Sequence, residues 1–203
     1  MTGTAQADVR SEEIAECRPG EIATWGDGVD RPALATPLRL AYEHAGAPAW
    51  FASAELRSML ARAAHAWAAC GVAAELLPPG ASATAGAVRV QWNAAAARDT
   101  FGLANLGQRT LSLNPDSFAL LRQRNPRHDA RQTLQMVISH EMGHFFGLMA
   151  HSRRCVDVTS YYHDGQGHHC LARDPALVKA SPEYRAVLPT ACDIARCRAA
   201  NGR

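Results

Sequence analysis

The sequence lacks an apolar run long enough to form a membrane-spanning helix. Its first seventeen residues are polar and acidic, without the apolar stretch of a signal peptide. The formal net charge is only +2, and neither a basic run nor an interleaved aromatic stripe occurs. These absences argue against insertion in a bilayer, and against nucleic acid or an anionic membrane surface as a partner.

Several common functional motifs are also missing from the 203 residues. We find no Ser-His-Asp elbow, no phosphate-binding glycine loop and no C-x-x-C pair, which disfavours serine hydrolases, nucleotide-binding folds and thioredoxin-like or ribbon-zinc proteins. Of the 21 basic residues only Lys179 is a lysine, and alanine is abundant. We attribute this bias to the base composition of the genome rather than to chemistry.

The cysteines form an even set that permits up to three disulfides, and hence an oxidising compartment; the alternative is six free thiols in the cytosol. They are Cys17, Cys70, Cys155, Cys170, Cys192 and Cys197. Cys155 and Cys170 flank a loop rich in histidine and glycine, so we expect them to pair. Cys192 and Cys197 lie five positions apart on a predicted C-terminal helix, do not face each other there, and are expected to reach Cys17 or Cys70. Together with the composition, this predicts a secreted or periplasmic bacterial protein whose signal peptide is not in this sequence.

The chain length fits one domain, residues 31–203, preceded by a polar extension over residues 1–30. Alternating apolar residues predict strands over 38–42, 88–92 and 111–113. The segment 102–106 is predicted to be a further strand running to a turn.

Two helices are predicted. The first begins at Ser53, which we take as its cap, and carries apolar residues at helical spacing as far as Trp67. The second extends from about Asp129 to Phe146. Strands followed by helices in this order indicate an α+β fold, a mixed twisted sheet with two main helices and a loop-rich C-terminal part that ends in a helix.

The residues from His140 to His144 read His-Glu-Met-Gly-His. Positions i and i+4 lie on one face of a helix, so both imidazoles can reach one zinc ion. Glu141 lies beside the first of them, where a carboxylate can take a proton from metal-bound water. The alternative is two core or surface histidines on an amphipathic helix.

Gly147 follows three residues after His144, and glycine permits the helix to stop and the chain to turn back. His151 is then placed to supply a third nitrogen. This segment resembles the metzincin signature H-E-x-x-H-x-x-G-x-x-H of zinc peptidases, with the last histidine one residue late. The alternative third ligands are Asp157, His163, His168 and His169.

The sequence most resembles the matrixin branch of that clan. Ser152 follows the third histidine, and the segment from Asp157 to Tyr161 resembles the clan's Met-turn, with Thr159 in place of the methionine. The resemblance implies that Tyr161 approaches the metal and steadies an oxyanion; the alternative is a packing tyrosine in a turn.

The resemblance covers about residues 37–162 and implies a zincin-like fold whose zinc helix ends at Gly147. It further implies that the segment containing Gly102, Leu103 and Ala104 binds substrate along an edge strand, although an ordinary hairpin arm also explains that segment. The implied function is a monomeric Zn²⁺-dependent endopeptidase acting on proteins or peptides.

Two rival functions stay open at this point. One is a zinc-binding protein that kept the scaffold and lost turnover, which the late histidine and Thr159 motivate. The other is a metallohydrolase of cell-wall peptides. The sequence Cys17-Arg18-Pro19-Gly20 faintly resembles the matrixin pro-segment, in which a cysteine holds the zinc in a latent form, but a disulfide at Cys17 is the expected state.

Overall fold

A five-stranded mixed sheet is the central layer of the computed structural model, which describes residues 3–81, 86–181 and 183–203. The strands are β1 (Leu38–Tyr42), β2 (Ala74–Leu76), β3 (Val88–Trp92), β4 (Gly102–Asn105) and β5 (Thr110–Leu113). The order across the sheet is β2-β1-β3-β5-β4. Four strands are parallel, and β4 pairs antiparallel with β5 at one edge. The predicted strands are confirmed; β2 was not predicted because three residues carry no alternation.

Two long helices, α2 (Ser53–Ala68) and α4 (Ala130–Phe145), pack together and against this sheet. Apolar positions at helical spacing in α2, ending at Trp67, are buried, as the periodicity predicts. Trp67 also donates its indole N–H to the main-chain oxygen of Ser139 in α4 at 2.9 Å and stacks on Phe146. The mixed α+β class with two main helices is therefore confirmed.

The caps of these helices differ in one respect from the prediction. Asp129 caps α4, its side chain accepting the main-chain N–H of Arg131. Ser53 does not cap α2: it is the first helical residue, and the capping position is Ala52, which has no side-chain acceptor. The favourable first-turn carboxylate of Glu55 is present instead.

The described residues form four further helices. They are α1 (Gly3–Ala15), α3 (Pro115–Arg124), α5 (Pro175–Ala180) and α6 (Ala191–Ala200). The predicted C-terminal helix is confirmed as α6, with a capping box between Thr190 and Asp193. α1 lies within the predicted polar extension and contacts α6.

Two disulfides, Cys17–Cys192 and Cys70–Cys197, join distant parts of the chain, and a third, Cys155–Cys170, closes a short loop. The pairing of Cys155 with Cys170 is confirmed, and so is the expectation that the α6 cysteines reach Cys17 and Cys70. Because Cys17 is bonded to Cys192, its thiolate is not available to a metal in this state. Three disulfides indicate an extracellular or periplasmic protein. Among the described residues, no helix has the length and apolar character to cross a membrane.

Candidate metal site

Helix α4 and the loop that follows it bring three histidines together. His140 and His144 lie one turn apart on α4, and His151 returns to them from the loop. One ligand atom from each lies within 4.8 Å of the others. The structure therefore assembles the three predicted ligands around a common point, including the late third histidine.

Gly147 makes this return possible. Its φ is +105°, a conformation that side chains disfavour, and a Cβ at this position would lie 1.9 Å from the main-chain oxygen of Arg31. Arg31 also donates its main-chain N–H to the main-chain oxygen of Gly147, at 3.0 Å. Glycine thus serves both the turn at the end of α4 and the close approach of a second segment.

The orientation of each imidazole is fixed by a hydrogen bond at Nδ1. His140 bonds the oxygen of Val158 at 2.8 Å, His144 that of Leu148 at 2.7 Å, and His151 a carboxylate oxygen of Asp27 at 2.7 Å. Oxygens of this kind only accept, so Nδ1 of each ring carries the proton and Nε2 offers its lone pair. Such outer contacts are typical of metal-ligating histidines.

The carboxylate on His151 comes from residues 17–34, which we call the N-terminal strap. Asp27 accepts both the main-chain N–H and the ring N–H of His151, at 2.9 and 2.7 Å. Asp30 accepts the N–H groups of Met149 and Ala150 and pairs with Arg196 on α6. The sequence predicted only a polar extension over residues 1–30, and no local signal identifies a partner 124 residues away.

The electrostatic surroundings keep two of the ligands neutral. Burial, followed by the neighbouring His144 and His151, lowers the pKa of His140 well below its usual value. Burial likewise lowers the pKa of His144 to about 4. Neutral imidazole is the form that binds a metal, so these rings are ready as ligands at neutral pH.

Glu141 lies between the histidines and the edge strand. One of its carboxylate oxygens accepts the N–H of Ala104 in β4 at 2.8 Å, and burial raises the pKa of Glu141 to about 7. A cavity of about 380 Å³ opens here and is lined in part by the three histidines. The predicted substrate-binding residues, Gly102, Leu103 and Ala104, also line it. A larger cavity of about 730 Å³ adjoins it, sharing Phe101, Met136 and Arg185.

The segment that resembles the Met-turn lies below the histidines. Thr159 is fully buried, and its hydroxyl donates to Asp193 at 2.6 Å, while Val158 donates its N–H to the other oxygen of that carboxylate at 2.9 Å. Thr159 thus makes a buried hydrogen bond to α6, whereas a methionine at this position would make only apolar contacts. Its methyl group also faces Gly143, since a Cβ there would lie 3.1 Å from it.

Tyr161 lies beside the third histidine, with ring centroids 5.1 Å apart. Its hydroxyl donates to Asp27 at 3.3 Å, and its ring stacks on Trp25 of the strap at 5.0 Å. Partial burial and then the Asp27 carboxylate raise the pKa of Tyr161. In this arrangement the hydroxyl is held by the strap.

The alternative third ligands are placed elsewhere. Asp157 is buried and accepts hydrogen bonds from Ser152, Arg154 and Thr190. His163, His168 and His169 lie on the loop closed by the third disulfide, where His168 bonds Asp164 at 2.6 Å. Within the described parts of the chain, the only other group with metal-ligand spacing contains Cys17 and Cys192, which are bonded to each other.

No protein-family model and no curated protein matches this chain. Among solved structures it is similar to a chain of the GM1-bound form of the ECX AB5 holotoxin, with a TM-score of 0.51, 13% identity and 92% of each chain covered. At this identity the likeness concerns the fold, and it extends over almost the whole length of both chains.

This finding contradicts the sequence-based prediction of function. The sequence predicted a zinc-dependent metalloendopeptidase, with a hydrolase of cell-wall peptides as an alternative. The similar structure is described as a toxin in its GM1-bound form, not as a protease. On that ground the endopeptidase prediction and its enzyme class are wrong.

Proposed function

We propose that this chain is a zinc-binding protein that holds one ion through His140, His144 and His151. The observation that carries the proposal is the convergence of three imidazoles, each fixed at Nδ1, on one point. Three nitrogen ligands suit zinc, and a site with three protein ligands leaves the fourth position to an exchangeable ligand.

The residues present fit this ion better than other common metals. The donor set is all imidazole, which suits zinc and related transition metals rather than magnesium or calcium, since those prefer oxygen. The carboxylate of Glu141, next to His140 in the sequence, accepts the N–H of Ala104. When bound, zinc would supply a Lewis-acidic position for an oxygen, nitrogen or sulfur donor.

The chain's own residues shape access to that position. The cavity beside the histidines shares three lining residues with the larger one, namely Phe101, Met136 and Arg185. The edge strand β4 bounds the opening on one side, and Leu103 on it is 43% exposed. A ligand can therefore reach the metal position from the cavity beside the histidines, which supports a binding role for the site.

The scaffold is further proposed to be of metzincin type. This is supported by an antiparallel edge strand upstream of the metal-bearing helix, the stop at Gly147 and the buried turn at Thr159. A scaffold of this type does not imply peptidase activity, because one fold can serve different functions. A bacterial source is likewise proposed, from the composition. A monomeric state is also proposed, and light scattering of the purified chain tests it.

Cobalt(II) substitution tests the proposed function. Wild type should give the visible absorption of tetrahedral Co²⁺ at one ion per chain, and added azide should shift it by occupying the fourth position. His144→Ala should lose the signal, and His168→Ala, a histidine in the loop, should keep it. Failure of wild type to bind Co²⁺ or Zn²⁺ would refute the proposal. Cleavage of a quenched peptide library by the zinc-loaded chain, absent in Glu141→Gln, would refute a purely binding role.

A further inference from the structure

We propose that Asp27 is a positioning residue for His151, so that the N-terminal strap is an integral part of the metal site. The inference rests on the proposed function and adds a fourth functional side chain to it. The sequence assigned this region to a polar extension outside the domain; its carboxylate nevertheless lies at the third ligand.

The carboxylate of Asp27 contacts one ligand twice. Oδ1 accepts the main-chain N–H of His151 at 2.9 Å, and Oδ2 accepts its ring N–H at 2.7 Å. The first contact fixes the backbone and the second fixes both the rotation and the tautomer of the ring, which otherwise has a broad torsional range. The bare Nε2 is thereby directed at the point where the other two histidines converge.

His151 needs this support more than the other ligands do. His140 and His144 are carried by a packed helix, whereas His151 follows the helix end by several residues and its side chain is 27% exposed. Its ring is also the one whose outer partner is a carboxylate rather than a main-chain oxygen. Such a partner fixes the ring orientation and the tautomer of a metal-ligating histidine.

The strap is anchored firmly enough to act in this way. The main-chain N–H of Trp25 donates to the main-chain oxygen of His151 at 3.0 Å. Asp30 accepts the N–H groups of Met149 and Ala150, the two residues before His151. Gly28 approaches so closely that a Cβ there would lie 2.5 Å from the oxygen of Met149. At its start, the disulfide of Cys17 with Cys192 ties the strap to α6.

Zinc affinity measured by competition with a chromophoric chelator tests the role of Asp27. Asp27→Ala should weaken zinc binding roughly 10–100-fold, the range found for outer partners of metal ligands. Asp27→Asn, which keeps the shape and one acceptor oxygen, should fall between that variant and wild type. The matched control is Asp164→Ala, because it removes the same kind of contact, to His168 at 2.6 Å, away from the histidine cluster; its zinc affinity should equal that of wild type.

A second readout does not require the metal. In the zinc-free chain, ¹⁵N shifts of His151 should show protonation at Nδ1 in wild type and a mixture of tautomers in Asp27→Ala. If wild type binds no zinc, the proposed function fails, and the tautomer still decides the role of Asp27. Unchanged His151 tautomer in Asp27→Ala, or zinc affinity within twofold of wild type in a zinc-binding chain, would overturn the inference. If Asp27→Ala does not fold, Asp27→Asn gives the same two readouts.

Discussion

Replacing Gly147 by alanine should damage both the fold and the metal site. The added Cβ would lie 1.9 Å from the oxygen of Arg31, so the strap and the end of α4 cannot both keep their positions. A non-glycine residue at positive φ costs about 1–2 kcal/mol, and forcing an atom into a packed region costs about 1–3 kcal/mol. The expected loss is about 2–5 kcal/mol, or roughly 4–20 °C in Tm for a chain of this size.

Chemical denaturation of the metal-free chain measures this loss, and Gly20→Ala is the matched control. Gly20 also has a positive φ, +83°, but no atom lies within 4 Å of its Cβ position. Both variants change the unfolded chain equally, so the difference between them isolates the clash, about 1–3 kcal/mol. Zinc binding should weaken in Gly147→Ala alone, because His151 is displaced. Equal stability and equal zinc affinity in the two variants would refute the reasoning.

Three further predictions concern other contacts. Thr159→Val should lose about 1.5–3 kcal/mol in denaturation because it removes a hydroxyl bonded to the buried Asp193; Thr159→Ser should retain most of it, and a stable valine variant would contradict this role. Glu21→Gln should be less stable than wild type above about pH 4.5, because hydrogen bonds from Arg173 lower the pKa of Glu21 to about 2. That carboxylate's contribution is present above its unfolded pKa and is lost as the pH falls through 2, so a difference that persists unchanged in acid would refute it. Replacing both Cys70 and Cys197 by alanine should cost about 2–5 kcal/mol, since the bond closes a loop with a sequence separation of 127; a Tm equal to that of wild type would contradict it.

Most of the correct fold predictions came from the local periodicity of apolar residues in the sequence. The i, i+4 spacing of His140 and His144 and the alternation in β1 and β3 are statements about near neighbours, and the structure confirms the elements that contain them. Helix α3 was not predicted, although Asn114 followed by Pro115 is a typical helix start. The asparagine side chain accepts two main-chain N–H groups there.

Long-range contacts could not be predicted from local patterns in the sequence. Asp27 contacts His151 across 124 residues, and no spacing rule connects a polar N-terminal segment with a distant loop. Function was also not determined by the motif. Two histidines on a helix predict a metal site, but the use of that site depends on the surfaces around it. The structural comparison accordingly contradicts the endopeptidase prediction.

Zinc content of the purified chain, measured by mass spectrometry of the metal after equilibration with zinc and removal of the excess, tests the central claim most directly. The account predicts one zinc per chain in wild type and almost none in His144→Ala, with both proteins folded by circular dichroism. Wild type without zinc, or a His144→Ala variant that retains a full equivalent, would contradict the assignment of the three histidines as a metal site.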